Sequence, residues 1–262
     1  MHHVRGGNAL VQGASRGLGL HLTKQLCERD ATERVFATCR QPERAHELSQ
    51  LQQSFPSKLS ILQLDVSHED SIESARSAVE ASCNGVDILL QTSGILHDGD
   101  MRPETSLQRM RKQDIERAFA VNTIGPLLVL KHFKTLLEAA GEPTQAGTKP
   151  FPIAAALSAR LGSIGDNNSG GWYSYRSSKA ALNQMIRTAS FELSRRRGKA
   201  IAVALHPGTN DTDLTKPFQR NVPEQQLQHA SQGALRLLRV IDSLEFEHSG
   251  SFFDWKGERI QW

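Results

Sequence analysis

The chain has 262 residues, 38% of them hydrophobic, enough for one large α/β domain with a sizeable core. A formal net charge of +3 and an aromatic content of 6% argue against a nucleic-acid binder, and no apolar run approaches the ~20 residues that a membrane span needs. Cys27, Cys39 and Cys83 are odd in number and lack metal-ligand spacing, so neither a disulfide framework nor a metal site is expected, and the thiols read as reduced in a cytosol-like compartment.

The first seven residues carry no hydrophobic signal-peptide core. The expected location is cytoplasmic, or an organelle where a leader has been removed. Residues 8–12 form a short apolar run that meets glycine at once and predict a buried strand. The turn Gly13, Ala14, Ser15, Arg16, Gly17, Leu18, Gly19 follows, and Leu22 and Leu26 then begin a helical pattern. Strand, glycine-rich turn and helix are the context of a nucleotide-binding loop. Glycines let the backbone approach a pyrophosphate, and the helix N-terminus faces its charge. The glycine spacing is three-then-one, not the one-then-two of the usual dinucleotide fingerprint. Taken alone, it would also serve as a tight strand–helix connection. Residues 34–40 predict a second strand. An acidic residue at its end would bind the hydroxyls of an adenosine ribose, whereas an arginine suits a 2′-phosphate. The chain offers Cys39 and Arg40 there, with Arg16 as a second cation, so NADP(H) is expected in preference to NAD(H).

Residues 41–54 are polar and helix-forming, and residues 59–64 predict a third strand that ends at Asp65 and Val66. Asp65 could accept from an adenine amine, or cap the turn before the helix that begins near Ser67. Residues 86–90 predict a fourth strand, followed by Gln91, Thr92, Ser93 and Gly94. A long helix then carries Ile115, Phe119 and Asn122 and runs on to Leu137. A buried amide needs partners, so Asn122 is either a structural bridge or part of a proton path. Residues 140–150 read as a loop. Residues 151–157 predict a fifth strand, ending at Ser158. From Ser177 to about Leu193 the composition favours a helix, which places Tyr175 and Lys179 on one face, one turn apart. A tyrosine alone titrates near ~10, and an adjacent ammonium pulls that value down. Such a phenol can move a proton near neutral pH, as carbonyl reduction or alcohol oxidation requires. The same spacing also arises on helices by chance. The basic run 195–199 at the helix end complements the helix dipole. Residues 200–205 predict a sixth strand, ending in His206, Pro207, Gly208, Thr209, Asn210, Asp211 and Thr212. Residues 215–228 are polar with two prolines and read as mobile. Residues 233–244 form a helical pattern and 251–255 a seventh strand. With no repeat and no linker, residues 1–262 read as one domain.

Strands alternating with helices imply a parallel, doubly wound sheet. Such sheets bind ligands at the carboxyl ends of their strands, where all these candidates fall. The glycines 13, 17 and 19, Asp65, Asn122, the Tyr175–Lys179 pair and Pro207-Gly208…Thr212 together resemble the short-chain dehydrogenase/reductase family over essentially the whole chain. Residues 158–167, 172–175, 206–209 and the ending 252–262 resemble its C-factor and sniffer-like carbonyl reductase branch. The resemblance implies a single Rossmann-like domain with a seven-stranded parallel sheet flanked by helices. It implies an NADP(H)-dependent oxidoreductase acting on a small-molecule carbonyl or alcohol. Tyr175 would be the general acid. Lys179 would bind the nicotinamide ribose and lower the Tyr175 pKa, and Asn122 would hold a relay water. Ser15, Arg16, Leu18, Arg40, Val66, Gln91, Ser93, Gly94, Pro207, Gly208, Thr209 and Thr212 would join the glycines and Asp65 around the cofactor. A homodimer or homotetramer would form through the Asn122 and Lys179 helices. Three positions depart from the family pattern. Ala159 stands where the substrate-orienting serine is usual, with Ser158, ahead of Ser163, as its substitute. Gln91 replaces an asparagine and Asn210 an aliphatic residue. These departures carry an alternative, a catalytically weak dinucleotide-binding signalling or scaffold protein. Residues 215–228 would cover the pocket, lined by Phe218, Val222 and Leu227.

Overall fold

The computed structural model describes residues 4–142, 150–195 and 200–262. Most of the expected 140–150 loop and of the 195–199 basic run lies outside them. The strands are β1 Gly7–Gln12, β2 Thr32–Cys39, β3 Leu59–Gln63, β4 Ile88–Gln91, β5 Ile153–Leu157, β6 Ile201–His206, β7 Thr209–Asp211, β8 Leu227–His229 and β9 Phe252–Asp254. The helices are α1 Gly17–Glu28, α2 His46–Ser54, α3 Glu69–Glu80, α4 Lys112–Phe119, α5 Gly125–Ala140, α6 Tyr173–Leu193 and α7 Ala230–Ser243. Seven strands form one parallel sheet in the order β3-β2-β1-β4-β5-β6-β9.

The central strands are apolar throughout because both faces of the sheet are covered. Successive side chains alternate between the faces. Ala9 and Val11 join Leu22, Leu26, Leu48 and Leu237 under α1, α2 and α7. Leu10 joins Leu89, Ile72, Phe133 and Leu182 under α3, α5 and α6. The strand order reverses between β1 and β4, so the turns after these two strands diverge to opposite faces and leave a crevice at their carboxyl ends. Among the described residues, no helix is long and apolar enough to cross a membrane.

Three boundaries differ from the sequence expectation, each through contacts distant in the chain or hydrogen bonds that composition does not reveal. Helix α6 begins at Tyr173, before the helix-favouring run starts. Its Ser174 N–H donates to the carboxylate of Glu104, 70 residues away. Helix α7 begins at Ala230, where the His229 ring accepts from the Ser231 N–H. The segment expected to be mobile is tied at its base, because β7 and β8 pair in parallel, and 3₁₀ turns occupy Lys216–Asn221 and Glu224–Gln226.

Candidate active site

The carboxyl ends of β1, β2, β4, β5 and β6 open into one cleft. At its β1 side the glycine turn is shaped by its own backbone. Gly13 takes φ 92°, where a β-carbon would strike Ser93 and Thr92, and at Gly19 one would overlap the Gly13 carbonyl. The turn and the start of α1 are thereby held against the loop after β4, with free N–H groups facing the cleft. Arg16 stands at the head of α1 and pairs with Asp213 at 3.2 Å. Arg40, at the end of β2, is exposed and makes no ion pair among the described residues. Asp65 lines the cleft while its Oδ1 accepts the Ser67 N–H at 2.9 Å, so the turn-capping alternative is realised.

Tyr175 and Lys179 lie at the other end, both almost fully buried, with Lys179 Nζ 5.9 Å from the Tyr175 ring centre. Lys179 Nζ donates to the Leu157 carbonyl at 2.8 Å. Burial pushes the Tyr175 hydroxyl well above its ordinary pKa, and pulls the Lys179 ammonium down to about 8. The protein alone therefore does not lower the tyrosine pKa as the sequence suggested. Loss of water around the phenol outweighs the attraction of a lysine that is itself poorly solvated. Asn122 sits in a π-turn, Ala120–Ile124, between α4 and α5. Such turns recur at functional sites. Its amide is fully engaged: Oδ1 accepts the Ile95 N–H at 2.7 Å, and Nδ2 donates to the Ile95 carbonyl and to Ser178 Oγ. A β-carbon on Gly94 would lie 3.3 Å from Lys179 Nζ and 3.4 Å from Asn122 Oδ1, so these three residues meet at one point. The Asn122 side chain thus acts as a bridge that fixes the turn after β4.

A strand–glycine turn–helix unit, a tyrosine and lysine one turn apart, and an asparagine bridge converge on the switch point of a parallel sheet. The family model for short chain dehydrogenase matches residues 7–223. The chain belongs to the short-chain dehydrogenase family. It is an oxidoreductase. An NADPH-bound carbonyl reductase from chicken fatty liver superposes with a TM-score of 0.87 at 31% identity, over 100% of this chain and 96% of that one. The carbonyl reductase Sniffer of Drosophila melanogaster gives 0.85 at 26% identity, over 99% and 100%. The C-signal protein of Myxococcus xanthus is 34% identical over 181 residues, 69% of this chain and 95% of that one.

Most of the residues expected in this short-chain dehydrogenase's site do line the cleft, from Gly13 to Gly19, through Arg40, Asp65, Val66, Ser93 and Gly94, to Ser158, Tyr175, Lys179, Pro207 and Thr212. Three do not. Gln91 is buried and donates to the Pro126 carbonyl at 2.8 Å, anchoring α5 to β4. Gly208 is turned under the Trp255 ring, and Thr209 is taken up by β7. Ser158 lines the cleft, but its hydroxyl donates to Asn183 Oδ1 at 2.6 Å. Ser163 is buried and accepts the Asp166 N–H, away from the cleft. Ala159 itself packs against Tyr175. Sequence reasoning missed Gln12, Thr92 and Asn183. Thr92 donates to the Gln12 carbonyl and Gln12 to Ser93, across the crevice. The polar ending Gln12 on an apolar strand was the available signal.

Proposed function

We propose that this short-chain dehydrogenase is an NADP(H)-dependent carbonyl reductase with Tyr175 as its proton donor. The buried Tyr175–Lys179 pair at the mouth of β5 carries this reading. The residues fit a dinucleotide. The glycine turn packs closely on Ser93 and Thr92 at the cleft edge, and Arg16 and Arg40, both lining the cleft, support binding of a 2′-phosphate. When bound, the cofactor supplies the hydride. The protein's part is orientation and the proton. Burial keeps Tyr175 protonated at neutral pH, so it has a proton to give, which favours reduction. An alkoxide developing on the carbonyl oxygen is far more basic than a phenolate, so transfer from even a raised-pKa phenol runs downhill. Lys179, in its ammonium form, holds positive charge beside the phenolate that remains until a proton from solvent restores the phenol.

Ala159 favours a second reading, a dinucleotide-binding protein with weak turnover. Its methyl sits beside Tyr175, and the neighbouring Ser158 hydroxyl is engaged with Asn183. One hydrogen bond to the reacting oxygen is worth ~3 kcal/mol in a transition state. Assembly into a homodimer or homotetramer through α5 and α6 is supported by Ile124 and Phe191, both about half exposed near these helices. Light scattering tests it, and a monomer would refute it.

Titration with NADPH and then NADH, followed by thermal unfolding, tests the cofactor reading. Ligand at 100 times its dissociation constant adds about 2.7 kcal/mol. A larger shift with NADPH is expected, and no shift with either would refute the reductase. Tyr175→Phe is expected to abolish NADPH oxidation with aldehydes and ketones while keeping the NADPH shift. An unchanged rate would remove Tyr175 from the role.

A further inference from the structure

Trp172 is the single non-glycine residue with a positive φ among the described residues, at 53°. It follows Gly170 and Gly171, at 62° and 67°, so three consecutive residues take the left-handed conformation just before the catalytic helix. An L side chain adopts this conformation rarely and at a cost. Glycine would meet the backbone demand at this position as it does at the preceding two. What the tryptophan adds at this position is its ring.

The turn is pinned from two sides. The Trp172 N–H donates to the Glu104 carbonyl at 2.6 Å, and Ser174 donates both its N–H and its hydroxyl to the Glu104 carboxylate, which is buried. The Arg176 guanidinium donates to the carbonyls of Gly170 and Gly171. So held, the indole stands edge-on to Tyr175, with centroids 6.4 Å apart, and meets the Phe218 ring at 5.0 Å. Phe218 comes from the segment between β7 and β8, where it also faces His97. Leu96, Leu161 and Leu214 complete this apolar cluster around Tyr175 and Ala159.

We propose that Trp172 determines substrate specificity. With Phe218 it forms an aromatic wall beside Tyr175 that selects carbonyl compounds carrying a flat, uncharged, apolar group, and Glu104 is the residue that positions it. The inference rests on the reductase reading above. An aromatic ring on the carbonyl carbon meets ring edges and faces in this wall, whereas a carboxylate set against it would lose its water to apolar neighbours.

The test uses the full chain saturated with NADPH, with acetophenone and 2-butanone as substrates. The parent protein is expected to favour acetophenone at least tenfold in kcat/KM. Trp172→Gly removes the ring and leaves the backbone in a conformation that glycine adopts freely. It is expected to cut that preference at least tenfold, through KM rather than kcat, and to melt above Trp172→Ala, the reverse of the usual order within ordered chain. Phe218→Ala, which carries no backbone demand, should cut the preference in the same direction. Glu104→Gln, which retains one acceptor, should lose less of the preference than Glu104→Ala. A parent that reduces both ketones alike, or a Trp172→Gly variant that loses both in equal proportion, overturns the wall while leaving the reductase intact. A parent that gives no thermal shift with NADPH overturns the reductase reading and the wall with it.

Discussion

Replacing Lys179 with methionine separates what the residue does for catalysis from what it costs the fold. The residue is 3% exposed, and its pKa is drawn from 10.5 down to about 8 by burial. Each unit is 1.36 kcal/mol of difference between the two protonation states. The buried charge therefore destabilises the protein by about 3 kcal/mol below pH 8. The sign follows from proton counting. Between pH 8 and 10.5 the unfolded chain holds a proton on this lysine that the folded chain has released, so stability rises with pH across that window. The cost is fully present below pH 8 and gone above about 10.5. Methionine fills similar space with no charge. It loses the hydrogen bond to the Leu157 carbonyl, which contributes about 1–2 kcal/mol.

Lys179→Met is thus expected to be more stable than the parent at pH 7, by roughly 1–2 kcal/mol, and less stable near pH 10.5. The swing of about 3 kcal/mol corresponds to ~6–12 °C in melting temperature for a chain of this size. The comparison has to be between the two proteins at each pH. Cys27, whose thiol burial raises to about 12, loses stability above pH 9 in both and cancels in the difference. Denaturant unfolding of both proteins at pH 7, 8, 9 and 10, without added cofactor, supplies the numbers. Turnover should be lost in the variant at every pH. A stability difference that does not change between pH 7 and 10 would refute the reasoning, because it would mean that Lys179 is not desolvated in the folded chain.

Two further outcomes follow from the geometry. Ala159→Ser places a hydroxyl beside Tyr175 without disturbing the Ser158–Asn183 bond. It is expected to raise kcat by roughly ten- to a hundredfold, and steady-state kinetics showing no gain would mean that the site already has its second donor. On α7, a β-carbon at Gly233 would overlap Asn210 Oδ1, a buried oxygen with no hydrogen-bond partner among the described residues. Gly233→Ala should therefore cost about 1–3 kcal/mol, yet become neutral or stabilising in an Asn210→Ala background, where only its helix propensity remains. Additive effects in a double-mutant cycle by denaturant unfolding would refute that contact.

The parts of this molecule legible from sequence are those written in local pattern. Continuous apolar runs marked the central strands, because strands covered on both faces need no alternation, whereas the edge strand β3 was marked by alternation. The tyrosine–lysine spacing marked the site, because four residues on a helix return to the same face. What sequence did not reveal lies in contacts between distant segments. Nothing near Glu104 announces that its carboxylate caps α6, 70 residues on. Gln91 sits at a strand end beside cofactor-lining residues, and only the packing of Pro126 behind it turns its amide away. Residues 209–211 and 227–229 are too short to read as strands from sequence, and they are defined only by their pairing with each other. The Tyr175 pKa was misjudged for a related reason. A lysine four residues away can be inferred from the sequence, whereas the depth at which both are buried cannot.

That depth also bears on how the proton inventory near the reacting carbonyl is arranged. Ala159 has no proton to give, and Ser158 has given its own to Asn183. Both amide protons of Asn122 are taken, by Ile95 and Ser178. Of the groups brought together at the end of β5, Tyr175 keeps a proton that no neighbour claims, and behind it Lys179 spends one of three N–H bonds on Leu157. On the proposed reading, protonation of a substrate oxygen falls to Tyr175, with the Lys179 ammonium behind it. The apolar surroundings set by Leu96, Trp172 and Phe218 raise the cost of a phenolate here, and on the proposed reading the Lys179 ammonium offsets part of that cost while the phenolate lasts.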